Sequence, residues 1–91
     1  MERQIAESLG RAIRERRVVE FSYHGEPRAV EPYALGRVAG RLTLRGWQSR
    51  KGWRSFLASE VEGLEVTERF FDEPREGYAP DPRMDPVLAA V

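Results

Sequence analysis

Between residues 2 and 16 the apolar side chains recur at Ile5, Leu9, Ala12 and Ile13. That is the i, i+4, i+7, i+8 spacing of one helical face. Glu2 and Glu7 lie toward the start of the stretch, and Arg14, Arg16 and Arg17 lie at its end. This order suits the helix dipole. The spacing predicts a helix over 2–16 that lids an open sheet or barrel end. From residue 18 the period changes to two. Val19, Phe21 and Tyr23 alternate with Glu20, Ser22 and His24, which predicts a strand over 18–24. His24-Gly25-Glu26-Pro27 is a turn signal, with Gly25 free to take positive φ. His24 beside it reads as an exposed polar residue. Residues 28–35 are extended but carry Pro32, which lacks a ladder donor and marks an edge or bent strand. Gly36 and Gly40 bracket a short link. Leu42 and Leu44 alternate with Arg41, Thr43 and Arg45 in a strand over 41–48. The polar stretch Gln48 to Gly52 joins it to a strand over 53–58, so the two form a hairpin. Residues 59–63 read as a helical turn ended by Gly63, and 64–70 as a fifth strand.

This order predicts a mainly β fold with an N-terminal helix. Five short, closely spaced strands point to a small, strongly bent barrel of the Sm-like or SH3-like kind, because closure protects edges in so small a domain. The expected core is Ile5, Leu9, Ile13, Val19, Phe21, Val30, Leu42, Leu44, Val61, Leu64 and Val66. The domain is expected over 1–71, with a proline-rich acidic tail over 72–91. Four of the six prolines follow residue 73. Residues 72–86 are therefore expected to be extended, without regular structure beyond one turn. The stretch Val87 to Val91 is apolar again, suited to docking on the body or on a partner.

Composition narrows the function classes. At 91 residues the chain is one domain. It has no cysteine and one histidine, so neither a disulfide framework nor a thiolate metal site is expected. No cofactor is expected either. No apolar run approaches a membrane span, and the N-terminus lacks an apolar leader, so a cytoplasmic protein without a membrane partner is expected. Net charge is zero but uneven: residues 1–56 hold twelve Arg and Lys against six Asp and Glu, and residues 57–91 hold three against nine. No nucleophile–base pair, metal cluster or glycine-rich phosphate loop is visible, so no enzyme is expected.

The segment from Ile5 to Glu68 resembles the WYL domain of bacterial transcriptional regulators. Ala12-Ile13 matches that family's helix end, and Val19, Phe21 and Tyr23 match its first strand. Arg28, Val30, Pro32 and Leu35 match R-x-V-x-P-x-x-L. Gly40 precedes the place of the name-giving tripeptide, Arg54 and Phe56 match R-x-F, and Val61 sits at the isoleucine of the R-I turn. Arg41-Leu42-Thr43 stands where the family has W-Y-L, and Glu60 where it has the turn arginine. The resemblance implies a sensory domain with a basic, aromatic-containing pocket. The family's helix-turn-helix lies N-terminal to this domain, and the sequence leaves no room for one, so a stand-alone module is expected.

Two readings follow. In the first, Tyr23, Arg28, Arg41, Arg45, Trp47 and Arg54 line a basic aromatic groove. That groove binds a nucleotide or single-stranded nucleic acid, since guanidinium forks suit phosphate and aromatic faces suit bases. In the second, the chain is an interaction or oligomerisation module without a ligand, acting as a homodimer or with a partner regulator. The replaced motif residues and the apolar Phe70, Phe71, Tyr78 and Val87 to Val91 favour the second. Hairpin register decides whether Arg45 and Arg54 meet. Arg54 is expected at a groove or rim near Arg45 or Arg28, with Glu31, Glu60 and Glu62 the nearest carboxylates in sequence.

Overall fold

The computed structural model describes residues 2–72 and 75–91. One helix precedes six strands: α1 Glu2–Glu15, β1 Arg17–Tyr23, β2 Glu26–Val38, β3 Arg41–Gln48, β4 Gly52–Leu57, a short 3-10 turn Ala58–Glu60, β5 Val61–Phe70 and β6 Met84–Ala90. The helix ends one residue earlier than its pattern predicts. Arg16 takes φ 56, the left-handed turn that closes helices, and β1 starts at once. No helix among the described residues is long and apolar enough to cross a membrane.

The hairpins follow from residues that tolerate positive φ. His24 and Gly25 have φ 51 and 78 and join the paired Tyr23 and Glu26. Two such residues in a row make the turn whose twist matches a β-hairpin. Ala39 and Gly40 repeat the device with φ 52 and 78. The expected link at 37–39 is therefore strand as far as Val38, and β2 is longer than its sequence suggested. Pro32 is accommodated by a register shift between Pro32 and Ala34, which bends β2 where its missing N–H would leave a gap.

All pairings are antiparallel, in the order β4-β3-β2-β1-β5, with β6 joined to β2. Among the described residues no ladder joins β4 to β5, so the sheet has six strands and stays open there, where a closed five-stranded barrel was expected. β2 is shared along its length. Its first half pairs β1 through Val30, and its second half pairs β6 from Ala34 to Val38. Gly36 makes the second pairing possible: a Cβ there would lie 2.5 Å from Met84 Cγ and from the Pro86 carbonyl. The apolar end of the chain thus docks on the body. The stretch 72–83 holds no helix or strand among its described residues, as its prolines and acids predict, but β6 begins at Met84, inside the span expected to be irregular. Residues 73 and 74 of that span lie outside the described residues.

The concave inner face and α1 enclose the core. Leu9, Ile13, Val19, Phe21, Val30, Leu42, Leu44 and Val61 are buried as expected. Ile5, Leu64 and Val66 are only half-buried, because the first sits in the opening turns of α1 and the others on the outermost strand β5. Phe56, Leu35 and Tyr33 are buried without having been anticipated. Residues 32–36 are buried throughout, so period two disappears there. The cause is a second apolar layer on the outer face, built from Tyr33, Trp53, Phe71 and Tyr78.

Candidate ligand site

Strand register assigns each candidate residue to a face. Directly paired residues share a face of the sheet, and Leu44 opposes Phe56, Gly46 opposes Arg54, and Gln48 opposes Gly52. Val30 opposes both Val19 and Gln48, and Phe21 opposes Arg28. Arg28, Gln48, Arg54, Phe21, Tyr23 and Phe56 are therefore on the inner face. Arg45 opposes Ser55, and Trp47 opposes Trp53, so these and Arg41 are on the outer face. The six residues expected to line one groove are split in two. Tyr23, Arg28 and Arg54 share the inner side, and Arg41, Arg45 and Trp47 the outer. Arg45 and Arg54 are not neighbours.

On the inner side the arrangement centres on Arg28, whose residue is 8% exposed. Its guanidinium lies 5.7 Å from the ring centre of Tyr23 and 6.0 Å from that of Phe56. Nη1 donates to Gln48 Oε1 at 3.3 Å, and Nη2 lies 3.3 Å from Glu26 Oε1. Nε is buried with no hydrogen-bond partner. A buried charged donor left unfilled costs several times what an ordinary hydrogen bond contributes. The carboxylate that approaches this guanidinium is itself mostly exposed and free to move into water. The aromatic walls are held in place: Tyr23 packs edge-to-face on Phe56 at 5.0 Å, and its hydroxyl accepts the Leu57 N–H at 3.0 Å. His24 stacks on Tyr23 at 4.2 Å and pairs with Glu60. His24 is thus exposed, as expected, but not idle. Arg54 is exposed on the same face.

The outer side is already filled by the chain itself. The Arg75 guanidinium lies 3.6 Å from the ring centre of Trp47. It donates to both oxygens of Glu31, Nε to Oε1 at 3.0 Å and Nη2 to Oε2 at 2.9 Å. This hydrogen-bonded carboxylate holds the Arg75 guanidinium above its usual pKa. The Tyr33 hydroxyl donates to Glu31 Oε1 and accepts the Arg75 N–H, each at 3.0 Å. Burial pushes the Tyr33 phenol above its ordinary pKa. Tyr33 also packs on Trp53, Phe71 and Tyr78 at 4.9 to 5.2 Å. Arg45 donates to Ser55 Oγ at 3.2 Å, with its guanidinium 5.8 Å from Trp53. Arg41 is exposed. Of the carboxylates expected near Arg54, Glu31 serves Arg75 and Glu60 serves His24.

A hollow on the outer side of β1, β2 and β5 touches Arg28 but is otherwise lined by Glu20, Phe21, Ser22, Pro27, Ala29, Gly63 and Glu65. Its two carboxylates repel an anion, so it competes poorly with the inner corner. Among the described residues no three His, Asp or Glu side chains converge to hold a metal ion. Gln48 and Glu26 were missed in the sequence because their relation to Arg28 depends on register. Phe56 was read only as a motif match. Arg75 lacked any local signal, since its partners Trp47, Tyr33 and Glu31 are 28, 42 and 44 residues away.

A family model described as the WYL domain matches residues 4–66. Among solved structures, proteasome accessory factor B/C (PafBC) of Arthrobacter aurescens is similar to this chain, with a TM-score of 0.71 and 25% identity. The match covers 84% of this chain and 13% of that one, so the chain corresponds to a small part of that protein. No curated protein matches the chain.

Proposed function

The chain belongs to the WYL domain family, and on that footing we propose that it is a regulatory, non-enzymatic ligand-sensing domain. Its ligand is an anion, a nucleotide or a single-stranded nucleic acid, held through phosphate at Arg28. The observation that carries the proposal is the unfilled Nε of a guanidinium that is itself buried. Folding tolerates such a group poorly, and a phosphate oxygen on the same guanidinium offsets that cost with a charge-assisted hydrogen bond. On this reading Glu26 swings into water when the ligand arrives and releases Nη2 as the donor that meets it. Gln48 and the Tyr23 and Phe56 rings fix the fork in place, so little order is lost on binding. Exposed Arg54 supplies a further cation along the same face for a longer ligand. Arg41, Arg45 and Trp47 lie on the other face and have no direct part in this site.

The test is a titration of labelled single-stranded DNA, and separately of nucleotides, against wild type and Arg28→Ala at low and moderate salt. Wild type is expected to bind, with affinity falling as salt rises. Arg28→Ala is expected to lose about 10- to 100-fold, the range for removing a hydrogen bond to a charged group. Failure of wild type to bind any of these at low salt would sink the proposal. The second reading, an interaction module, keeps one specific support. Phe70, Val87 and Leu88 are large apolar side chains that remain more than half exposed, and Val87 and Leu88 lie side by side on β6, the kind of apolar surface a partner covers.

A further inference from the structure

We propose that Glu31, Tyr33 and Trp47 form a guanidinium-binding site on the outer face, filled in cis by Arg75 and able to take an arginine side chain of a partner protein in its place. The site is independent of the anion site at Arg28, and its charge is opposite. Three features select a guanidinium. The Trp47 ring provides a face on which a planar cation stacks, with Arg75 at 3.6 Å. The Glu31 carboxylate accepts two parallel N–H donors, at 3.0 and 2.9 Å, a fork that lysine cannot offer. The Tyr33 hydroxyl donates to that carboxylate at 3.0 Å and fixes its orientation. The receiving side is rigid and enclosed: Tyr33 is fully buried and the Glu31 side chain is 13% exposed.

The resident is held more loosely than the receptor. The Arg75 side chain is 46% exposed. Residues 75–78 pair with no strand. Apart from the turn bond from the Tyr78 N–H to the Arg75 carbonyl at 3.2 Å, the backbone bond of Arg75 itself goes to a side chain, the Tyr33 hydroxyl. Segments with few backbone bonds open at low cost. Once Arg75 leaves, the Glu31 carboxylate, held by the Tyr33 hydroxyl, faces an aromatic plate with nothing to neutralise it. Such a site attracts a cation and repels phosphate, so an arginine-bearing protein segment is the matching occupant rather than nucleic acid.

The experiment follows the fluorescence of the two tryptophans, Trp47 and Trp53, while N-acetyl-arginine amide or N-acetyl-lysine amide is added. It uses wild type, Arg75→Ala, Arg75→Ala/Glu31→Gln and Arg28→Ala. Arg75→Ala is expected to respond to the arginine probe and not to the lysine probe, and Arg75→Ala/Glu31→Gln to respond to neither. Wild type and Arg28→Ala are expected to respond alike. Each should respond roughly tenfold more weakly than Arg75→Ala, since a tethered side chain competes at millimolar effective concentration or above. If Arg75→Ala fails to fold, Arg75→Gln replaces it, and the wild-type displacement titration needs no variant. Equal responses to arginine and lysine, no response in folded Arg75→Ala, or no response in wild type would each overturn the proposal. So would single-stranded DNA binding gained by Arg75→Ala and lost again with Trp47→Ala, which would make the outer face a covered nucleic-acid platform. Loss of DNA binding in Arg28→Ala alone bears on the anion site and leaves this one untouched.

Discussion

Arg28 and Arg75 lie on opposite faces of one sheet, and burial and satisfaction run in opposite directions between them. Arg28 is buried, reaches its partners at 3.3 Å, and leaves Nε with none. Arg75 is nearly half exposed, yet it makes two carboxylate bonds and a ring stack at 3.6 Å. Burial alone would mark Arg28 as the structural residue and Arg75 as the free one. Counting partners reverses that. The inner face holds a rigid charge that folding has not finished satisfying, and the outer face holds a finished contact made by a loosely tethered segment. An incompletely satisfied site on a rigid frame is where a ligand adds most. A completed contact on a loose strap is where a competitor can enter.

The largest expected effect tests whether the inner frame is the rigid part. Phe21 is buried and packs edge-to-face on Phe56 at 5.1 Å. Phe21→Ala should cost about 3–5 kcal/mol, close to the whole stability of a domain this size. A denaturant midpoint left unchanged would place the rigid frame elsewhere. Next comes the outer face. Tyr33→Phe keeps the ring in its aromatic cluster but removes the hydroxyl shared by Glu31 and Arg75, and should cost about 1–2 kcal/mol. A cost near zero by the same measurement would show that the outer contact does not depend on that oxygen. Tyr33 also predicts an alkaline limit. Its pKa is raised in the folded protein above the ordinary 10.0, so its stabilising contribution is complete below about pH 10. It is lost as pH rises through the folded-state value. Thermal melts from pH 9 to 11 should fall for wild type and fall less for Tyr33→Phe. The smallest effect sharpens the comparison most. Arg28→Met removes a half-satisfied buried charge but strips Gln48 of a donor, and these oppose each other. Stability should stay within about 1 kcal/mol of wild type, while anion binding falls. A destabilisation of several kcal/mol would make Arg28 a structural residue.

The inner frame was largely legible in the sequence. Val19, Phe21, Leu42 and Leu44 carry a clean period of two, and Gly25 and Gly40 mark their turns, so the strands fall within a few residues of their predicted positions. Arg28 and Tyr23 were found through motif spacing. What sequence could not supply was parity between strands: a shift of one residue in the β3–β4 hairpin would have put Arg45 and Arg54 together. The outer layer was illegible for a different reason. Trp47 reads as an open platform until Arg75 covers it, and proline-rich acidic composition gives no hint that a segment returns to Glu31. β6 was missed likewise, since Pro86 and its small neighbours resemble tail more than strand.

The sharing of β2 between β1 and β6 bears on how the chain comes to be folded. The β1–β2 and β2–β3 hairpins join neighbours in sequence and form early and locally. Gly36 meets Val87 across 51 residues, and closing so long a loop is slow as well as entropically costly. While synthesis proceeds, the second half of β2 leaves the ribosome with one side unpaired, its backbone donors and acceptors open to any passing strand. Only β6, some fifty residues further along the chain, covers that edge. The nascent protein is therefore most prone to mispair in the interval before β6 emerges, and a stall near residue 80 would leave an aggregation-prone intermediate.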